Sequence, residues 1–402
     1  MKPWMGNVFL VVGGAALGIL LVEGGLRMFG FSAPNFYRSD FDTGATLRAG
    51  IEGWWKKEGE AYVKINSEGL RDREHAKAKP PHTLRIAVLG DSYAEAMQVP
   101  AEDTFWAVLE RELQTCQALH GRPVEVINFG VAGYGTAQEL LTLRHRVWDY
   151  SPDVVLLAFV SGNDLRNNVQ FLEQDPTRPY FVYQDNTLVL DDAFKKYSGW
   201  RFRHLIMGYG GYWLIDHLRV FQLLNEARHL LKSRFKQASR NKLALELTQK
   251  GDMLELQQNE EGLDTMVYIE PMNQVWKEAW RVTEGLILQM RNEVREKGAY
   301  FLVVSLTNGD QVHPDPKQRH VTANQLGVSD LLYPERRLKS LGDRQGFAVL
   351  NLSQPFADYA EKHNMYLHGF KNGGGHWNSK GHHLAGTLIA EKVCLDSITI
   401  LR

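Results

Sequence analysis

Residues 84–92, Leu-Arg-Ile-Ala-Val-Leu-Gly-Asp-Ser, join an apolar run to a short polar turn. The run 84–89 has the length and composition of a buried strand, and Gly90 ends it. A serine that directly follows such a strand stands at the start of the next helix, where its hydroxyl is exposed and its own N–H is free. The stretch therefore predicts a strand with a reactive polar group at its carboxyl end.

Further apolar runs of strand length follow along the chain, at 124–127, 153–159, 300–305 and 347–350. Segments with the spacing of helices lie among them, at 104–113, 136–148, 276–294 and 379–393. Strands that are apolar throughout and alternate with helices are typical of a parallel sheet covered on both faces. The pattern predicts an α/β fold with a flavodoxin-like, doubly wound, five-stranded parallel sheet.

The same pattern divides the chain into three segments. Residues 1–30 are predicted to be a membrane anchor, residues 31–83 an irregular lead-in, and residues 84–402 the α/β domain. Within that domain, a mixed helical insertion at about 166–275 breaks the alternation of strands and helices. We expect this insertion to cap the sheet.

Composition excludes several classes of protein. Lys plus Arg is 46 and Asp plus Glu is 47, so the net charge of -1 shows none of the basic excess typical of nucleic-acid binding. With 44% hydrophobic and 11% aromatic residues, the chain can form a core and does not have the composition of a disordered protein. Cys116 and Cys394 are too few for a disulfide scaffold or a four-thiolate zinc site. They could form one bridge, but sequence alone does not show that they meet.

The N-terminus has 20 uncharged residues between Lys2 and Glu23. As a helix this stretch spans roughly 30 Å, the thickness of the hydrocarbon core of a bilayer. No small-residue cleavage site of a signal peptide follows it, so we predict an uncleaved, single-pass anchor. Its short N-terminal flank favours a cytoplasmic N-terminus, which places the body in the periplasm or otherwise outside the cytoplasm.

Polar segments follow the predicted strands, and the carboxyl ends of parallel strands meet at one edge of a sheet. Ser92 follows the first strand, Gly133 the second and Asn163 the third, while His376 lies on the last loop before the closing helix. Acyl transfer needs a nucleophile, a base and fixed donors for the oxyanion. Serine, histidine, a glycine N–H and an asparagine amide can supply these groups.

The order of these segments resembles that of the SGNH, or GDSL-type, hydrolase superfamily. The matching blocks are Gly90-Asp91-Ser92, Gly133, Gly162-Asn163-Asp164 and His376. Residues 65–72 also look like the segment that precedes the core in bacterial members, and the resemblance covers about 200 of the 402 residues.

The resemblance implies a role for each residue. Ser92 would be the nucleophile, His376 the base, and the Ser92 and Gly133 N–H groups with the Asn163 amide the oxyanion hole. It further implies a serine esterase that uses no cofactor. The expected substrate is an acyl ester, an O-acetyl group or a short acyl chain, on a glycan or a lipid.

One departure from the family concerns the acid of the triad. An aspartate usually lies two or three residues before the histidine, and here those positions are Gly374 and Gly373. Either a carbonyl or a distant acid orients His376, or activity is low or lost. Two alternatives to the esterase therefore stay open. One is an O-acyltransferase that uses the same site, and the other is a catalytically inactive, glycan-binding accessory protein.

Two further features have more than one interpretation. His376, His382 and His383 could suggest a metal, but we expect the last two on the closing helix and predict no metal site. Basic residues between 219 and 242 alternate with leucines from 214 onward and predict a basic amphipathic helix. That helix is either a solvated face of the insertion or a surface for anionic lipid or polysaccharide.

Overall fold

The computed structural model describes residues 3–228, 230–231, 234–235, 238, 265–370 and 374–401. In chain order its strands are β1 (Tyr37–Asp40), β2 (Gly44–Leu47), β3 (Glu52–Trp55), β4 (Ala61–Lys64), β5 (Leu84–Gly90), β6 (Val124–Asn128), β7 (Val154–Phe159), β8 (Tyr180–Gln184), β9 (Thr187–Asp191), β10 (Tyr300–Ser305) and β11 (Ala348–Asn351). Its α-helices are α1 (Pro3–Met28), α2 (Ser92–Glu95), α3 (Phe105–Leu113), α4 (Thr136–His145), α5 (Ser161–Asn167), α6 (Gln170–Glu173), α7 (Ser198–Ile206), α8 (Tyr212–His217), α9 (residues 219–228), α10 (Gln274–Glu296), α11 (Pro316–Gln325), α12 (Tyr333–Gln345), α13 (Ser353–His363) and α14 (Ser379–Ile400).

The central sheet has five parallel strands in the order β11-β10-β7-β5-β6. Numbered along the chain, this is the order 2-1-3-4-5 of flavodoxin-like folds. Every residue of β5 and β7 is buried, which explains why both strands are apolar almost throughout. The fold class predicted from the sequence is confirmed.

Helices cover both faces of the sheet. Leu89 of β5 belongs to the core that α4, α10 and α12 close, and Val88 belongs to the opposite core, closed by α3, α13 and α14. Successive side chains of a strand point to opposite faces, so one apolar run supplies both cores. The differences from the prediction include the end of α4 at His145, the continuation of α14 to Ile400, and helix α13 between β11 and the loop that carries His376.

The sequence predicted an irregular lead-in over residues 31–83, but the structure shows regular strands there. The lead-in contains two antiparallel pairs, β1 with β2 and β3 with β4. Each of these strands has only four residues, too few to show a period of two in the sequence. The turn between β3 and β4, residues 56–60, lies against the carboxyl edge of the central sheet.

Helix α1 is long and apolar enough to cross a membrane, and within the described ranges it is the only such helix. Its 26 residues extend over roughly 39 Å, more than a bilayer core requires. The side chains from Leu10 to Val22 are exposed. This helix is therefore no buried element of a soluble core.

The insertion combines a hairpin with helices. Strands β8 and β9 pair through a tight turn at Asp185 and Asn186, both with positive φ. The hairpin packs on α10, where a Cβ at Gly285 would overlap the Tyr183 hydroxyl. Helices α7, α8 and α9 follow the hairpin, and residues 239–264 lie outside the described part of the chain.

Cys116 and Cys394 form a disulfide. The sequence alone had left open whether these two cysteines meet. The bond joins the loop after α3 to α14, across 278 residues of sequence. It therefore ties the closing helix to the first half of the sheet.

Candidate active site

The turn after β5 is shaped by its glycine and its aspartate. A Cβ at Gly90 would come within 2.9 Å of the Ala94 side chain, so the chain can fold back tightly only with glycine there. The Asp91 side chain then caps α2 by accepting a hydrogen bond of 2.9 Å from the Tyr93 N–H. Ser92 is thus held at the first position of a helix, with its side chain partly exposed.

Ser92 and His376 meet at the carboxyl edge of the sheet. Ser92 Oγ lies 2.7 Å from His376 Nε2. On its other side, His376 Nδ1 lies 2.5 Å from Glu58 Oε2. The three side chains form a continuous chain of hydrogen bonds from hydroxyl to imidazole to carboxylate. This is the geometry in which a histidine can accept a serine proton while an acid holds its ring.

Glu58, in the turn between β3 and β4, was not among the residues predicted from the sequence. Its second oxygen accepts a hydrogen bond of 2.6 Å from the His376 backbone N–H, so the carboxylate holds both the ring and the main chain. Burial opposes the charge of Glu58, but hydrogen bonds to His376 outweigh it and hold the pKa of that carboxyl below its usual range. The distant acid that the sequence analysis left as one option is therefore present.

Gly375, directly before His376, is a glycine because the Glu58 carboxylate lies against it. Its φ of +94° lies in the region that favours glycine, and a Cβ there would overlap Glu58 Oε1. A side chain at this position would push the carboxylate away from His376. Gly374 lies beside it, and Gly373 lies outside the described residues.

A second, buried histidine holds the loop of His376. The Nδ1 of His368 lies 2.8 Å from the Gly375 carbonyl oxygen, and its Nε2 lies 2.8 Å from Thr307 Oγ1. Burial lowers the pKa of His368 to about 4, so the ring is neutral and donates through Nδ1 while it accepts through Nε2. Thr307 in turn accepts a hydrogen bond of 2.8 Å from the Trp377 indole. These contacts fix the loop on both sides of His376.

Asn163 and Gly133 lie around the same turn. The Asn163 amide donates a hydrogen bond of 2.7 Å to Asp91, the residue before Ser92. Gly133, with φ of +78°, receives hydrogen bonds at its carbonyl from Arg178 at 2.8 Å and from Asn167 at 3.3 Å. Asn163 and Asn167 are one turn apart on α5, the helix that follows β7. Through these two side chains, α5 contacts both the turn after β5 and the loop after β6. The structure thus brings together the elements that carry all four predicted residues.

Three buried carboxyl groups lie behind this edge: Asp91, Glu139 and Asp164. Burial raises the pKa of each, and the charges of Asp164 and Asp91 raise that of Glu139 further. In the described part of the chain, neither oxygen of Glu139 has a hydrogen-bond partner. Burial and the neighbouring acids therefore favour the protonated form of Glu139.

His382 and His383 both lie on α14, as expected, and not in a common cluster with His376. His382 is buried, and its Nδ1 accepts a hydrogen bond of 3.3 Å from the Phe105 N–H. His383 is exposed on the same helix. Among the residues that the structure describes, no group of three or more His, Cys, Asp or Glu is arranged to hold a metal ion.

A flavodoxin-like sheet with serine, histidine and carboxylate aligned at its carboxyl edge resembles the fold of SGNH, or GDSL-type, hydrolases. This is the fold that the sequence blocks had indicated. No protein-family model matches the chain, and no curated protein matches it.

Solved structures similar to the chain include two acetyl xylan esterases. One has 12% identity and a TM-score of 0.38, covering 77% of this chain and 99% of its own. The other, a catalytic mutant from Geobacillus stearothermophilus, has 10% identity and a TM-score of 0.39, covering 79% and 96%. A third structure, from Desulfitobacterium hafniense and described as lipolytic and of the G-D-S-L family, has 11% identity and a TM-score of 0.37, covering 77% and 98%. All three are distant likenesses in sequence.

Proposed function

We propose that the protein is a membrane-anchored serine esterase that cleaves an acyl ester, an O-acetyl group or a short acyl chain, from a glycan or lipid outside the cytoplasm. The observation that carries this proposal is the line of hydrogen bonds from Ser92 through His376 to Glu58. It supplies a nucleophile, a base and an orienting acid at one edge of the sheet.

The reaction would follow from the placement of these groups. His376 Nε2 takes the hydroxyl proton as Ser92 Oγ bonds to the acyl carbon. The Ser92 and Gly133 N–H groups and the Asn163 amide stabilise the oxyanion. The imidazolium then gives its proton to the departing alcohol oxygen, leaving an acyl-serine. Water, deprotonated by His376, releases the acid and restores the serine. Glu58 keeps the Nδ1–H in place and stabilises the imidazolium throughout.

Two features support a location outside the cytoplasm. Helix α1 can span a bilayer and would anchor the body beside it. The disulfide between Cys116 and Cys394 suits an oxidising compartment such as the periplasm, because cytosolic thiols are kept reduced. The proposed orientation therefore has the N-terminus inside and the body outside.

Glu58 also bears on the alternatives. An inactive accessory protein was favoured only by the missing acid, and Glu58 removes that argument. An O-acyltransferase would use the same residues, with a sugar hydroxyl in place of water. The two reactions differ in product: an esterase passes the acetyl group of the acyl-serine to water and releases free acetate, whereas a transferase passes it to the sugar hydroxyl and forms a new ester.

The test uses the full chain in detergent. Wild-type protein should hydrolyse p-nitrophenyl acetate and react with a fluorophosphonate probe, and Ser92→Ala should do neither. Ser340→Ala, at an exposed serine of α12, is the matched control and should keep both properties. Equal ester hydrolysis by wild type and Ser92→Ala would reject the serine esterase. Loss of acetate release on adding a glycan acceptor, with the acetyl group recovered on it, would identify a transferase.

A further inference from the structure

Helix α9 has the reverse of the usual distribution of polar and apolar residues. Its buried position is polar: Gln222 is 2% exposed, donates to the Ile215 carbonyl at 2.9 Å and accepts from the Ala33 N–H at 2.9 Å. Its large apolar side chains face outward, and Leu224 is 59% exposed. Beyond α9, Phe235 is 74% exposed. A helix that lies in water on a protein surface turns its apolar face inward, so this one suits a different environment.

Helices α7 and α8 continue the exposed apolar surface. Phe202 is 66% exposed and Trp213 is 59% exposed. Leu205, Ile206 and Trp213 come three, four and eleven residues after Phe202, a helical spacing that places all four along one side. The opposite side is fixed to the protein by Trp200, whose buried indole donates to the Gly44 carbonyl at 3.2 Å.

This surface starts where α1 ends. Glu23 accepts a hydrogen bond of 3.0 Å from the Val220 N–H at the start of α9. Arg27 donates to the His217 carbonyl at 2.6 Å, and Arg219 donates to Ser32 at 3.1 Å. Polar contacts at the junction of α8 and α9 thus attach the insertion helices to the last turns of the apolar N-terminal helix and to the segment that follows it.

The charges of the same helices complement anionic lipid. Between 198 and 228 the two acidic residues, Asp216 and Glu226, are both paired, with Arg48 at 2.6 Å and with Lys57 at 3.2 Å. The exposed cations on these helices include Arg201, Arg228 and, further on, Arg234. Apolar side chains bordered by exposed arginines are the composition of a helix that lies in the headgroup region of a membrane.

We propose that α7, α8 and α9 form a lipid-contact surface that lies on the bilayer anchored by α1. The occupant is the membrane itself, because α1 brings that bilayer to the edge of the exposed face. The inference rests on the anchoring role of α1 in the proposed function. The inference goes beyond the proposed function because it places the side chains of Ile206, Leu224 and their neighbours in the outer leaflet, at the boundary between headgroups and acyl chains, about 5–10 Å deep.

The position of the surface also concerns the active site. The pair of Lys57 with Glu226 joins α9 to the turn that carries Glu58. Val220, which contacts α1, and Glu226 are six residues apart, or roughly 9 Å along a helix. The turn that supplies the proposed acid therefore stands close to the plane of the membrane.

The test places a fluorophore at single cysteines in the full chain, reconstituted in vesicles of phosphatidylcholine and phosphatidylglycerol. Ile206→Cys and Leu224→Cys carry an environment-sensitive label, and the native cysteines are protected by their disulfide. Val321→Cys is the matched control, since Val321 is an exposed apolar residue of α11, a helix tied to α13 by Arg319 and Glu361. Both test residues are exposed, so the substitutions leave the core intact.

The expected result is blue-shifted emission and quenching by a doxyl lipid at 206 and 224, with quenching by aqueous iodide only at 321. Iodide quenching of all three labels to the same extent, in protein that floats with the vesicles, would overturn the proposal while leaving the anchor intact. Protection that grows with the number of chains per vesicle, without doxyl quenching, would show a second copy on the face and would also overturn it. The labels report lipid contact whether or not the protein hydrolyses esters, so the two proposals fail separately.

Discussion

Glu58 Oε2 lies 2.5 Å from His376 Nδ1, although 318 residues separate the two in sequence. The carboxylate reaches the ring past Gly375, where a Cβ would overlap it. An acid from the turn of an upstream hairpin thus lies beside His376, in place of the aspartate expected from the family resemblance two or three residues before the histidine. One consequence is that the lead-in is part of the site. A fragment that begins at residue 84 would retain Ser92 and His376 but not the acid.

The first prediction concerns Glu58. Glu58→Gln keeps the size of the side chain but removes the charge that fixes the Nδ1–H and stabilises the imidazolium. We expect kcat on p-nitrophenyl acetate to fall by up to about 10⁴-fold, as for the loss of an equivalent charge in a serine triad. Fold should be retained, as judged by circular dichroism and thermal unfolding.

The control for this variant comes from the same turn. Glu60→Gln removes a carboxylate that pairs with Lys56 at 3.0 Å and does not belong to the site. It should leave kcat unchanged. If both variants matched wild type, Glu58 would have no role in orienting His376.

With Glu58 in place, Gly373→Asp should be neutral or harmful and should not raise the rate.

Gly375 gives a second prediction. Gly375→Ala adds a Cβ that displaces Glu58 and strains a backbone with φ of +94°. We expect a loss of activity comparable to that of Glu58→Gln, together with about 1–3 kcal/mol of stability. Gly346→Ala is the matched control, because its φ of +70° carries similar strain but a Cβ there meets no atom within 4 Å. It should lose stability and keep activity. Equal activity losses in the two variants would show that strain alone is responsible.

The sheet and most of the site could be predicted because their signals are local. Buried parallel strands are apolar along their whole length, and the carboxyl edge they share predicted that Ser92 and His376 would meet. Glu58 could not be predicted, because residues 56–60, Lys-Lys-Glu-Gly-Glu, look like a solvated turn. Only tertiary packing distinguishes Glu58 from Glu60. The one available signal was the glycine run before His376, which indicated that something approaches the backbone closely.

The third prediction concerns Asn163. Asn163→Ala should lower kcat about 10²–10³-fold if its amide stabilises the oxyanion. It should also lower the melting temperature, because the buried Asp91 loses the donor that lies 2.7 Å away. Kinetics and thermal unfolding of the same preparation measure the two effects. A loss of stability with unchanged kcat would limit Asn163 to a structural role.

The disulfide supplies a fourth prediction. Replacing Cys116 and Cys394 together by serine should lower the free energy of unfolding by about 2–5 kcal/mol. The reason is that the bond cross-links two positions that are 278 residues apart in the chain. Denaturant unfolding of both proteins without reductant measures the difference. In wild-type protein purified from the native compartment, thiol titration under denaturing conditions should find no free cysteine. Two free thiols would contradict both the bond and the proposed compartment.

The last prediction is a pH dependence of stability that arises from Glu139. Burial raises the pKa of this carboxyl well above its usual range, so the folded protein keeps a proton that the unfolded chain releases above about pH 4.5. The folded state therefore loses stability as the pH rises from that value toward the pKa of Glu139 in the folded protein. The loss is about 1.4 kcal/mol per pH unit. Glu139→Gln cannot ionise and should escape this loss. Denaturant unfolding should find the variant close to wild type at pH 4 and more stable at pH 8. Glu296→Gln, at an exposed position of α10, should follow wild type at both pH values. If Glu139→Gln were instead less stable than wild type at pH 8, the carboxyl would be ionised and paired in the folded protein.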